Sequence, residues 1–362
     1  MNDPTESLVT RSLADHAADA PADTTLLGDV HRRLRRRRFA RTAGAVVVAC
    51  AAVATAITGV HGLTESSPPE SNVVATRPGW HWESYANVQL QVPDSWKGQD
   101  YSHLWNCPES KTDGPIVGRP TLGPVVAMAC VPRAGAVPAA EVGVPPVADR
   151  VSHVFFDSDA RPGAYARGSG WVEETRVIGG TAVSVFTDDD ALRRTILDSA
   201  RVITGTDVNG CQPTSRFASD RAARPSTGRG LDAVGDVRSI AVCAYLASPL
   251  QGRPPLLASA TLTGATAYEV GAALKATTTG RPPVLTTGQA CQIVGQEEIL
   301  VLVVTGTAAE EQVVVRYQGC SGDDGFDDGT DLRPLTKPGL KPLLEAVDRP
   351  SVSPAHLADL LR

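Results

Sequence analysis

The residues best suited to chemistry lie late in the chain, where Asp323, Asp324, Asp327, Asp328 and Asp331 crowd into nine positions broken by Gly325 and Gly329. Carboxylates in a glycine-bearing loop suit calcium, a hard ion that takes six to eight oxygen ligands. The alternation of an EF-hand is missing, and no glutamate falls at the twelfth place. The five aspartates are therefore weak calcium candidates, and a solvated turn is the simpler reading. Gly168-Ser169-Gly170 lacks the five-residue shape of a nucleophile elbow, and Ser169 would need a histidine, with His153 the nearest in sequence. No HExxH, GxxxxGK[ST] or CxxC occurs, so no catalytic residue, metal set or cofactor is assigned and the chain reads as a non-enzyme. Trp80, Trp82, Tyr85, Trp96 and Trp105 offer an aromatic platform for sugar, although core and strand-face packing is the simpler reading of such a run.

What must position these groups begins with an apolar stretch. Residues 42–60, TAGAVVVACAAVATAITGV, carry no charge over nineteen positions, and residues 31–41 before them hold seven arginines. Nineteen residues make a helix of roughly 28 Å, about the thickness of a bilayer's hydrocarbon core. The arginine cluster stays on the cytoplasmic side, so the N-terminus is expected inside and everything after the span outside. A forty-one-residue leader is too long for a cleavable signal. Arg36-Arg37-Arg38-Phe39 resembles a twin-arginine export signature, and Val47-Val48-Ala49-Cys50 a lipobox, but an uncleaved anchor is the plainest reading.

The formal charge of −6 hides an asymmetry: residues 1–41 carry a net +2, and the part after the span a net −8. An acidic exported part argues against nucleic acid as partner, while the arginines meet anionic lipid headgroups. Six of the seven cysteines, Cys107, Cys130, Cys211, Cys243, Cys291 and Cys320, follow the span, which reads as a disulfide framework in an oxidising compartment. Six cysteines allow fifteen pairings. Pairing neighbours in order, Cys107–Cys130, Cys211–Cys243 and Cys291–Cys320, closes local loops with 22, 31 and 28 residues between partners and is the favoured set.

Taken in order, the pattern predicts a cytoplasmic tail (1–41), a span (42–62), a Ser/Pro/Glu stalk (63–79) and an exported part divided at 80–150 and 151–362. Val88, Leu90 and Val92 alternate with polar residues, a half-buried strand ended by Pro93. Three strand–strand–helix units follow: 171–186 with a Gly179-Gly180 turn and a helix from Asp188 to Ile203; 237–262 with a helix to about Thr277; and 299–317 with a helix near 341–347. The expected fold class is α+β, an antiparallel sheet with helices on one face.

Trp82-Glu83-Ser84-Tyr85, the Val88…Val92-Pro93…Trp96 run, Asp207-Val208-Asn209-Gly210-Cys211, Val242-Cys243-Ala244-Tyr245 and Gly319-Cys320 carry a resemblance across most of residues 25–320. In these the chain resembles actinobacterial single-pass membrane proteins of uncharacterised function, which pair an Arg-rich cytoplasmic tail with a cysteine-containing exported domain. The resemblance implies membrane attachment and passes on no activity. It also suggests a runner-up role in signalling, with residues 1–41 gripping a cytoplasmic sigma-type regulator. The leading expectation is a binding or structural protein of the cell envelope whose partner is an extracellular protein, peptide or glycan. An envelope hydrolase would need Ser169 or the 323–331 acids beside a histidine.

Overall fold

The computed structural model describes residues 76–100, 114–120, 147–156, 161–226, 228–247, 254–277, 280, 297–318, 324–348, 357 and 360–361. All belong to one compact unit, residues 72–362. The apolar stretch at 42–62, the arginine cluster, Cys50, Trp105, Asp323 and the cysteines at 107, 130, 291 and 320 lie outside the described residues. Among the described residues no helix is long and apolar enough to cross a membrane.

The fold is α+β with mostly antiparallel sheets and few helices. The largest all-antiparallel sheet has the order β11-β10-β12-β13-β14-β15. Its strands are β10 (Val237–Leu246), β11 (Leu256–Thr263), β12 (Glu298–Gly306), β13 (Glu310–Arg316), β14 (Gly325–Asp327) and β15 (Leu332–Arg333). The two-residue period of a strand splits this sheet between two cores. Ile240, Val242, Leu300, Leu302, Val313 and Val315 face the main core, whereas Cys243, Tyr245, Ile299, Val301 and Val314 face a smaller cluster that holds Cys211 together with Phe217 of the short α2 (Arg216–Ser219). On the main-core side lies α3 (Gly264–Ala276), burying Ala267, Val270, Gly271 and Leu274, the spacing of one helical face. Gly271 lets the helix touch the sheet, since a Cβ there would meet Val237 Cγ2 at 2.4 Å.

A second six-stranded sheet has the order β3-β4-β5-β8-β7-β6. It comprises β3 (Lys97–Asp100), β4 (Ile116–Arg119), β5 (His153–Phe156), β6 (Gly163–Ala166), β7 (Val172–Ile178) and β8 (Thr181–Thr187). The wholly antiparallel expectation is corrected here, because β3, β4 and β5 run parallel. The β7–β8 hairpin turns at Gly179 and Gly180, whose φ values of 57° and 88° suit the primed turn that matches strand twist. Asp189 caps α1 (Asp190–Ser199), accepting from Ala191 N and Leu192 N at 2.9 Å each. This helix stops at Ser199, short of the expected Ile203. Arg201–Val202 forms β9 and joins β1 (Trp80–Tyr85) and β2 (Val88–Pro93) in a three-stranded sheet of order β1-β2-β9.

Strand β2 also departs from its expected half-burial. Val88, Leu90 and Val92 enter the core, yet Gln89 and Gln91 are only 4% and 3% exposed. Their amides are spent locally: Gln89 Oε1 accepts from Val208 N at 3.1 Å, and Gln91 Oε1 from Arg77 N at 3.4 Å. A polar residue buried with a partner loses little, so alternation alone did not mark the covered face. Helix α4 (Lys337–Ala346) starts one turn earlier than its periodicity predicts and buries Leu340, Leu343 and Leu344.

Candidate functional site

Strand β1 sets one wall of a cleft of about 430 Å³. Opposite it are Ala258–Thr261 of β11, the end of α4 at Ala346–Asp348, and Val208-Asn209 of a loop. The strand reads Trp-His-Trp-Glu-Ser-Tyr, so His81 and Glu83 share one face two residues apart. His81 Nε2 lies 3.0 Å from Glu83 Oε1, and His81 Nδ1 lies 3.6 Å from Asp94 Oδ1. Glu83 is 5% exposed, and its other oxygen accepts from Nη2 of Arg119, at the end of β4 and 2% exposed.

Asp348 completes the group. It follows α4 with a positive φ of 51°, a left-handed position that glycine or asparagine commonly fills at a helix end. Its carboxylate accepts from Gly98 N at 2.9 Å, binding the end of the helix to β3. Position 98 must be glycine: an added Cβ would meet Asp348 Cβ at 2.5 Å and Arg119 Nη1 at 2.8 Å.

The electrostatics follow from burial against pairing. Burial alone would raise the Glu83 pKa, but the Arg119 guanidinium and the His81 ring outweigh it and hold the carboxyl below its ordinary value. Burial would lower His81, yet the hydrogen bond and charge of Glu83, with Asp94 and Asp348 beyond, push it up. Asp348 is raised chiefly by burial and further by Glu83, against the opposing pull of Gly98 N–H, Arg119 and His81. The cleft thus holds an ionised buried carboxylate, a histidine favouring its cation and an aspartate resisting ionisation.

Two indoles border this group. Trp82 is buried, with Arg201 over its ring at 4.5 Å and Nε1 donating to Thr76 Oγ1 at 3.1 Å. Trp80 is partly exposed, with Arg77 5.8 Å from its ring centroid. Trp96 belongs to the main core instead.

The floor is built on the Asp207–Cys211 loop. Asp207 accepts from Ser84 Oγ at 2.6 Å, from Ser259 Oγ, from Asn209 N at 2.9 Å and from Cys211 N at 2.8 Å. Asn209 Nδ2 donates to Ser259 Oγ at 3.0 Å, and Thr261 Oγ1 donates to Asn209 Oδ1 at 3.1 Å. Cys211 then bonds to Cys243 of β10, with the Cα atoms 5.6 Å apart. That bridge is one of the three neighbour pairs; the other two lie outside the described residues.

The residues singled out from sequence fall elsewhere. Asp327 accepts from Nε and Nη2 of Arg224 at 2.7 and 2.6 Å, while Asp328 accepts from Leu231 N, Thr330 N and Asp331 N at 2.7–3.0 Å. Asp327 and Asp331 line a second cleft with Arg221, Arg224 and Arg316, and no histidine is among its lining residues. Among the described residues no three His, Cys, Asp or Glu side chains converge to hold a metal. Ser169 sits in an exposed turn with φ 54°. His153 stacks on Phe186, its Nδ1 lies 2.9 Å from Val151 O, and burial lowers its pKa.

Sequence reasoning missed the Glu83–Arg119–Asp348 group. The His81-x-Glu83 spacing on a strand was the one available signal, because Arg119 and Asp348 reach the site only through the fold. Comparison of the chain with protein-family models, with curated proteins and with solved structures gives no match, so the site's chemistry rests on its own geometry.

Proposed function

We propose that the chain is a binding protein of the cell envelope, anchored by one helix at 42–62 with the arginine-rich tail inside. Its ligand site is the cleft between β1, β11 and the end of α4. The observation that carries this reading is the Glu83 carboxylate, buried and kept ionised by Arg119 at the wall of a cleft bordered by Trp80 and Trp82. Acceptors fixed in this way suit a ligand presenting ammonium or hydroxyl groups beside a flat apolar face, as an amino sugar or a peptide terminus does. The group binds and positions; a nucleophile next to a base is not part of it.

Two measurements test this. Protease added to intact cells should shave the region beyond residue 62 and spare the tail. The full chain in lipid nanodiscs should change its tryptophan emission on titration with glucosamine oligomers or short peptides, and Glu83→Gln should weaken that response about tenfold, the worth of one charge-assisted hydrogen bond. Absence of response to both ligand classes refutes the site, and a protected C-terminal region refutes the topology.

A further inference from the structure

Among the described residues, Arg119, Arg193, Arg316 and Arg333 are buried. Three of them have carboxylate partners. Arg119 meets Glu83; Arg193 meets Glu174 at 3.2 Å and Asp190 at 2.5 Å; Arg333 meets Asp232 at 3.2 Å and Asp328 and Asp331 at 3.8 Å. Each leaves one nitrogen without a hydrogen bond, but its charge is balanced.

Arg316 differs. It is 5% exposed, its Nη2 donates to the carbonyl of Ala223 at 3.1 Å, and its Nη1 has no hydrogen-bond partner. No ion pair involves it among the described residues. A guanidinium taken out of water without a counter-charge costs several kcal/mol, and folds rarely keep one. Arg316 lines the cleft of about 680 Å³ shared with Arg221, Arg224, Asp327, Thr330 and Asp331. The acids there are engaged elsewhere: Asp327 accepts from Nε and Nη2 of Arg224, and Asp331 lies 3.8 Å from Arg333, which also meets Asp232 and Asp328. Arg221 pairs with Glu297 at 2.9 Å on the rim. What Arg316 lacks, among the described residues, is a carboxylate within ion-pair distance, although carboxylates stand on its neighbours.

We propose that this second cleft is an oxyanion site, with Arg316 as its buried anchor, and that its ligand carries a phosphate or carboxylate group. The planar fork of arginine suits either group. The claim is independent of the Glu83 cleft and holds if that reading fails.

The test uses the full chain in phosphatidylcholine nanodiscs and reads Tm with inorganic phosphate, with citrate, or with phosphatidylglycerol mixed into the disc, against chloride at equal ionic strength. The expected result is a rise of about 4 °C at a hundredfold excess over Kd for at least one of the three, absent in Arg316→Met. Phosphate alone then assigns a free phosphate compound, citrate a carboxylate, and the anionic disc a lipid headgroup. Arg316→Met should also raise Tm in chloride, since it removes an unbalanced buried charge. Arg224→Gln, on a half-exposed side chain, keeps the fold testable should the first variant misfold, and is expected to reduce the rise without abolishing it. No rise with any of the three, an equal rise in Arg316→Met, or an unchanged rise in Arg224→Gln when Arg316→Met misfolds overturns the proposal.

Discussion

Replacing Glu83 by glutamine should be among the most damaging single changes in the described fold, although it alters one atom of the side chain. The amide keeps the shape but no longer balances Arg119, which is 2% exposed and whose Nε already has no hydrogen-bond partner. Breaking a buried ion pair from one side costs about 3–5 kcal/mol, because the remaining charge stays buried. For the roughly 290 residues of the 72–362 unit, an unfolding entropy of about 2.1 cal/mol/K per residue gives a loss of about 5–8 °C in Tm. Thermal scans by circular dichroism at pH 7 measure this directly. The control is a double-mutant cycle with Arg119→Met. Both single variants lose stability, while the double variant loses less than their sum by at least about 2 kcal/mol. Simple additivity, or a Glu83→Gln Tm within about 2 °C of wild type, would refute the buried-pair argument.

Further expectations concern the same neighbourhood. The folded pKa of His81 is raised, so its stabilisation is complete below its ordinary value of 6.5 and is lost as pH rises through the folded value. Glu83 is lowered, so its contribution is present above 4.5 and lost as pH falls through its folded value. A Tm–pH profile should therefore fall on both sides, with His81→Gln flattening the upper limb and Glu83→Gln the lower. Asp348→Asn should be neutral or stabilising at pH 7, since asparagine tolerates the left-handed backbone and still accepts from Gly98 N–H, while removing a carboxylate that burial disfavours. A loss of several degrees in a thermal scan would contradict this. Cys211→Ser with Cys243→Ser should cost about 4 kcal/mol by chain entropy for a separation of 32 residues, measured by urea denaturation with and without reductant. Asp207→Ala strands the amides of Asn209 and Cys211 and two hydroxyls, so a loss of about 3 kcal/mol is expected in the same assay.

Local signals carried far along this chain. Asp189 before an amphipathic run, the glycine pair at 179–180 and the apolar runs of β10 to β13 each determine structure over a few residues, and each reads through into the fold. The Cys211–Cys243 pair was legible because the two cysteines are neighbours in chain order. Legibility failed where burial is decided by distant segments. Gln89 and Gln91 look solvent-facing until Val208 and Arg77 are folded over them. Parallel pairing of β3 with β4 leaves no local trace, since the register arises across a connection rather than a turn. The cleft itself joins positions 83, 119 and 348, and no spacing rule connects those. Asp327 and Asp328, prominent in sequence, accept from an arginine and from backbone amides in the fold.

The hydrogen bond from Gly98 to Asp348 spans 250 positions, and that from Ser84 to Asp207 spans 123. Time is the consequence. At about five to twenty residues per second, β3 leaves the ribosome roughly ten to fifty seconds before the aspartate that closes over it. Through that interval Arg119 and Glu83 can meet, but the wall supplied by the end of α4 does not exist. A truncated product ending before Asp348 would carry the strands that line the cleft without the wall that the end of α4 adds to it.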